Sequence, residues 1–289
     1  MYARGAGLPV IVIPGIQGRW EWLRPALDAL QSHCRTVSYS LCGDFGSGWQ
    51  TDPALGFDNY LRQLDDVFER AGLERAALCG SSYGGFIALR YAATRPQRVS
   101  HLILSSSPSP GWTPNPRQSR YIATPWMSTP AFVATAPGRL WPEIHAAFDD
   151  AAQRLAFCGK HLFRVVSAPA IPSLMAGRIV QQQSMDFTPD CGRIHAPTLV
   201  ITGEPRLDAV VPVEATKRYL SLIPGAKYAM LERTGHLGLL THPERFASII
   251  STFIARTENL EPGTRNLEPA NANDQRSAWS SGQPRSAAR

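Results

Sequence analysis

The chain has 289 residues, 44% of them hydrophobic and 18% charged, which are the proportions of a globular protein with a sizeable core. Its formal charge of +6 comes almost wholly from arginine, since Lys160, Lys217 and Lys227 are the only lysines. The basic residues form no block, which argues against a nucleic-acid partner, and no apolar run approaches the ~20 residues of a membrane span.

In chain order, LPVIVIPG (Leu8 to Gly15) is apolar and β-branched and reads as a first strand. It is too short for the apolar region of a secretory signal and runs straight into turn residues. WEWLRPALDAL (Trp20 to Leu30) puts Trp22, Leu23, Ala26, Leu27 and Leu30 on one helical stripe, with Pro25 in the first turn. RTVSYS (Arg35 to Ser40) reads as a strand. NYLRQLDDVFERAGL (Asn59 to Leu73) repeats the helical pattern through Leu61, Leu64, Val67 and Phe68 and stops at Gly72. AALCGS (Ala76 to Ser81) is a strand, GGFIALRYAATRP (Gly84 to Pro96) a helix, and HLILSSS (His101 to Ser107) a strand.

The alternation then breaks. SPSPGWTPNP (Ser107 to Pro116) is too rich in proline for regular structure. RLWPEIHAAFDDAAQRLAF (Arg139 to Phe157) carries Leu140, Ile144, Ala147, Phe148, Ala151 and Leu155 at helical spacing. The alternation resumes with the strand PTLVITG (Pro197 to Gly203), the helix PVEATKRYLSLIPG (Pro212 to Gly225), the strand KYAMLERTG (Lys227 to Gly235) and the helix PERFASIISTFIA (Pro243 to Ala255).

Strands apolar throughout, alternating with helices, imply an α/β domain with a doubly wound, mostly parallel sheet of about six core strands. Residues 1–106 form its first part and 195–256 its second, with 107–194 an inserted α-helical cap. Residues 257–289 are polar and repeat NLEP, and are expected to be a disordered tail. Cys34, Cys42, Cys79, Cys158 and Cys191 are odd in number and form no C-x-x-C, so no disulfide framework or zinc site is expected, and a reducing cytoplasm fits.

The stretch CGSSYGG (Cys79 to Gly85) carries the chemistry. Gly80 to Gly84 fits G-x-S-x-G, with a strand entering and a helix leaving. That context is a nucleophile elbow: a turn so sharp that its central residue, Ser82, is strained and exposed at the helix N-terminus. Ser81 takes the variable position before it. A serine hydroxyl needs a base, and the elbow predicts an acid and then a histidine on later loops. Asp208 follows PTLVITG in EPRLDAVVP, and His236 follows KYAMLERTG. Glu204 in the same loop is the rival acid. His33, His101, His145, His161 and His195 sit in no such motif and read as structural, and His242 reads as a helix-entry residue.

The loop PGIQG, then GSSYGG, GEPRLDAVVP and TGHLGLLTHPERF, in this order, resemble the α/β-hydrolase family of the single-domain, capped type, over about Leu8 to Arg256. The resemblance implies Ser82 as nucleophile, Asp208 as orienting acid and His236 as base. It implies an oxyanion hole from the backbone N–H groups of Ile16 and Tyr83. Many members carry His-Gly where this chain has Pro14-Gly15, so a histidine that would brace the loop is missing. Gln17 is a candidate to brace it or to touch substrate. Relatives often place an aspartate where Ser40 stands, with Asp44 further on here. The extra antiparallel strands common at the N-terminus are expected to be absent. The implied activity is a cofactor-free, metal-free serine hydrolase cleaving an ester-like bond in a small molecule through an acyl-enzyme. Trp112, Trp126 and Trp141 of the cap suggest an apolar substrate. Epoxide hydrolases and haloalkane dehalogenases need a carboxylate at the elbow. C–C bond hydrolases, lactonases, cofactor-free haloperoxidases and aminopeptidases share the triad, and a non-catalytic binding protein on this fold is the further alternative.

Overall fold

The computed structural model describes residues 1–258. Seven strands form one sheet: β1 (Tyr2–Arg4), β2 (Pro9–Ile13), β3 (Arg35–Ser38), β4 (Ala76–Ser81), β5 (Val99–Ser105), β6 (Thr198–Thr202) and β7 (Lys227–Met230), in the order β1-β3-β2-β4-β5-β6-β7. β2 to β7 are mutually parallel and are the six strands legible as apolar runs. β1 corrects the expectation of no extra N-terminal strand: it pairs antiparallel with β3, Tyr2 opposite Ser38. Its three residues bury only Tyr2, so the sequence holds no apolar run to announce it. The Tyr2 hydroxyl anchors it, donating toward Asp28 Oδ1 at 3.1 Å and Gln31 Oε1 at 2.9 Å.

The inner strands β2, β4, β5 and β6 are buried on both faces, which is why they are largely apolar. Val10, Val12, Ala77, Cys79, Ile103, Leu199 and Ile201 pack in one layer with α1 (Arg24–Leu30) and Phe246, Ala247, Ile250 and Ile254. Ile11, Ile13, Leu78, Leu102, Leu104 and Val200 pack in the other with α2 (Asp58–Ala71) and α3 (Gly84–Thr94). The chain winds outward in both directions from β2 and β4, which lie side by side. The carboxyl ends of those two strands therefore frame the crevice where such sheets bind ligands.

Between β5 and β6 stands the helical cap: α4 (Pro116–Ala123), α5 (Pro125–Ala147), α6 (Ala151–Ser167), α7 (Pro172–Gln183) and α8 (Thr188–Cys191). The helical pattern over Arg139 to Phe157 is two helices and not one. They part at Phe148, where Asp150 accepts the Ala152 N–H and caps α6. The helix expected over Pro212 to Gly225 is likewise two short ones, α9 (Val213–Lys217) and α10 (Tyr219–Leu222). α11 (Gly238–Thr241) and α12 (Pro243–Glu258) close the fold. Thr257 belongs to α12, with its hydroxyl 2.8 Å from His101 Nε2, so the tail expected from 257 starts no earlier than 259 and lies outside the described residues. The five cysteines are free thiols. Among the described residues no helix is long and apolar enough to cross a membrane.

Candidate active site

β4 ends at Ser81, α3 begins at Gly84, and Ser82 turns the chain between them. Ser82 has φ 51°, a left-handed conformation that strains any residue with a Cβ by about 1–3 kcal/mol. The Ser82 N–H to Ser105 carbonyl bond of 2.8 Å holds it there. The glycines are required by close approach. A Cβ on Gly80 would lie 2.5 Å from the Gly84 carbonyl oxygen, and one on Gly84 would lie 2.5 Å from that of Ile13. Ser81 stays in the strand, buried.

The histidine arrives on the loop after β7. Its Nε2 is 3.2 Å from Ser82 Oγ and its Nδ1 is 3.2 Å from Asp208 Oδ2. Asp208 comes from the loop after β6, and its other oxygen accepts the Val210 and Val211 N–H groups, each at 2.9 Å. The two loops touch through Gly235, where a Cβ would sit 2.3 Å from the Leu207 carbonyl oxygen. Burial opposes charge on Asp208, but His236 and the two N–H groups outweigh it and hold the carboxyl below its ordinary range. Burial pulls the His236 imidazole down, and the Asp208 and Glu143 carboxylates more than offset it, leaving it above its ordinary value. Glu204 faces elsewhere, its Oε1 accepting the Arg233 N–H at 2.7 Å. The arrangement suits proton transfer from Ser82 to a histidine held in one tautomer.

The loop after β2 lies against the elbow. A Cβ on Gly15 would come within 3.3 Å of Ser82 Cβ and 3.2 Å of Gln17 Oε1, so Gln17 is a neighbour of the serine. Among the described residues neither the Ile16 nor the Tyr83 N–H donates to a protein acceptor. The missing histidine brace is replaced from the cap. Arg178 of α7 donates to the Ile16 carbonyl at 2.8 Å and is paired with Asp44, the two side chains 1% and 0% exposed. This gives Asp44 its place: it stands away from the strand end, where it anchors the arginine.

Glu143 of α5 was not legible in the sequence. It is the only acid in that helix and is 1% exposed. Its Oε1 accepts from Thr234 Oγ1 at 2.8 Å, the Gly235 N–H at 2.7 Å and the Leu237 N–H at 2.6 Å, donors on both sides of His236. Arg233 ties the same loop to the same helix end, its Nε bonding the Ala146 carbonyl at 2.9 Å and its guanidinium pairing with Asp149. Of the cap tryptophans, Trp126 and Trp141 are 63% and 50% exposed. Trp112 is half-buried in the loop before α4, its N–H bonded to the Ser109 carbonyl.

Similarity to known proteins agrees with this geometry. The chain is 28% identical over 257 residues to the RutD protein of Caulobacter sp. (strain K31), named as a carbamate hydrolase, covering 85% of this chain and 90% of that one. It is 26% identical over 250 residues to a pimeloyl-[acyl-carrier protein] methyl ester esterase of Legionella pneumophila (strain Paris), covering 86% and 96%. The fold matches the enol-lactonase of Burkholderia xenovorans LB400 with a TM-score of 0.70 at 20% identity, over 88% and 95% of the two chains. The model of the alpha/beta hydrolase family matches residues 7–249, and the chain belongs to that family.

Proposed function

We propose that this hydrolase cleaves an ester-like bond of a small molecule through a serine-bound acyl intermediate. The observation that carries the reading is the relay from Ser82 Oγ through His236 to Asp208, with both links at 3.2 Å. Ser82 Oγ attacks the acyl carbonyl as its proton passes to His236 Nε2. The oxygen that becomes negative is met by the Ile16 and Tyr83 N–H groups, which have no protein acceptor among the described residues. The C–O bond breaks and the leaving alcohol takes the proton from His236. Water, deprotonated by the same imidazole, then attacks the acyl-enzyme, releasing the acid and restoring Ser82. Asp208 fixes the Nδ1–H tautomer and balances the imidazolium.

The named activities of the relatives, on a carbamate and a methyl ester, support an acyl bond to oxygen or nitrogen as the target. The exposure of Trp126 and Trp141 removes the support those two gave to an apolar substrate. The test is a fluorophosphonate probe on the folded protein with peptide mapping, alongside hydrolysis of p-nitrophenyl esters of graded length. Labelling of Ser82, lost in Ser82→Ala together with turnover, is expected. Labelling of Ser81, or none on folded protein, would overturn the reading.

A further inference from the structure

We infer that Glu143, a cap residue, is a positioning residue for the candidate base His236, so that the cap takes part in assembling the site as well as covering it. The inference rests on the serine-hydrolase reading. Geometry carries it. Glu143 lies 93 positions before His236 in the chain and on a different element, yet one of its oxygens receives three hydrogens from the two residues before His236 and the one after. The Gly235 and Leu237 N–H groups flank the histidine, so fixing both fixes the backbone from which the imidazole projects. Neither N–H has another protein acceptor among the described residues, and without Glu143 both would lose their partner, the Gly235 N–H in a buried place. The Arg233 to Ala146 and Asp149 contacts bind the same loop to the same end of α5. The last turn of α5 and the histidine loop therefore form one unit, and a displacement of the cap would carry His236 away from Ser82.

A carboxylate does more in this place than a neutral acceptor. The charged groups that face the imidazole are Asp208, from the loop after β6, and Glu143, from α5. Arg233, on the histidine's own loop, is engaged by Asp149, and Glu204 by the Arg233 N–H. Glu143 thus adds a negative charge beside the base, favouring the imidazolium formed as Ser82 attacks.

Two variants separate the roles, with kcat, KM and the pH profile of kcat/KM measured on p-nitrophenyl acetate. Glu143→Gln keeps an acceptor oxygen and drops the charge. Its acid limb is expected at lower pH than wild type, because burial is then less opposed. Glu143→Leu removes the acceptor. It is expected to lower kcat by roughly tenfold to a hundredfold with KM little changed, the cost of a misplacement of about 1 Å. If Glu143→Leu does not fold, the Glu143→Gln profile decides alone. A Glu143→Gln profile superimposed on wild type, or a folded Glu143→Leu with wild-type kcat, overturns the inference. Fluorophosphonate labelling of wild-type Ser82 separates that result from failure of the serine mechanism, which would show as an unlabelled wild type.

Discussion

Asp208→Asn is the sharpest probe of the proposed site, because each oxygen of Asp208 has its own partners. Oδ1 of Asp208 is held by the Val210 and Val211 N–H groups at 2.9 Å, and Oδ2 faces His236 Nδ1 at 3.2 Å. An asparagine there keeps its carbonyl oxygen on the two N–H donors, since its amide group cannot accept from them. The NH2 group then faces Nδ1, which must become an acceptor. The ring proton moves to Nε2, the atom 3.2 Å from Ser82 Oγ, and that nitrogen can no longer take the serine proton. Loss of the working tautomer costs about 10⁴ in kcat in the worked serine-protease triad, or about 5.4 kcal/mol at ~1.36 kcal/mol per decade. The assay is ester turnover at saturating substrate, with Ser82→Ala as the floor and a thermal melt to confirm folding. Glu204→Gln, whose carboxylate accepts the Arg233 N–H and faces exposed Arg206, is expected to lose less than about tenfold. A Glu204→Gln variant at the floor, with Asp208→Asn well above it, would refute the assignment of the acid.

Three further outcomes are expected. The acid limb of kcat/KM should lie above the ordinary histidine value of about 6.5, since the base works only when neutral and His236 is raised by Asp208 and Glu143 against burial; a limb at or below that value contradicts the pairing. Arg178→Met leaves the Asp44 carboxylate buried without its partner and should destabilise the fold by about 3–5 kcal/mol in urea titration, with Asp44→Asn/Arg178→Met recovering part; an unchanged midpoint would show the pair to be idle. Trp126→Ala and Trp141→Ala should leave the ratio of kcat/KM between short and long acyl esters unchanged, as exposed side chains whose loss costs less than about 0.5 kcal/mol; a changed ratio would place them at the substrate.

What the sequence could show follows from which constraints are local. β2, β4, β5 and β6 are buried on both faces, and that burden falls on each residue in turn, so the strands read directly as apolar runs. The elbow reads too, because a backbone turn this tight leaves room only for hydrogen at Gly80 and Gly84. β1 does not read, since it rests on the single anchor Tyr2. The end of α5 is set in part far along the chain, where Asp149 is drawn to Arg233, and in part locally, where Asp150 accepts the Ala152 N–H and caps α6. Glu143 and Arg178 are single charged residues in helices. Nothing local distinguishes them from solvent-facing charges until the fold buries them, both at 1% exposure. Aromatic residues such as Trp126 and Trp141 in a helical segment likewise carry no sign of which face is covered.

The site divides into a part set by backbone and a part set by side chains. Gly84 against Ile13, Gly203 against Gly235, and Gly235 against Leu207 are approaches of main chain with no side chain between, and Gly15 lies against the Ser82 Cβ. Through them the loops after β2, β4, β6 and β7 are stacked one on the next. The spacing of Ser82, His236 and Asp208 is thereby inherited from the sheet, whose own spacing is fixed by its hydrogen bonds. The helices between β5 and β6 meet this stack through the tips of long side chains, among them Glu143 under the histidine loop, Arg178 under the Ile16 carbonyl and Gln118 at the Val210 carbonyl. Such tips can withdraw without unfolding the sheet, whereas the glycine contacts cannot open unless the strands part. With those tips withdrawn, the backbone frame of Ser82, His236 and Asp208 stays in place, and what is lost is the cap partner of the Leu237 N–H and of the Ile16 carbonyl.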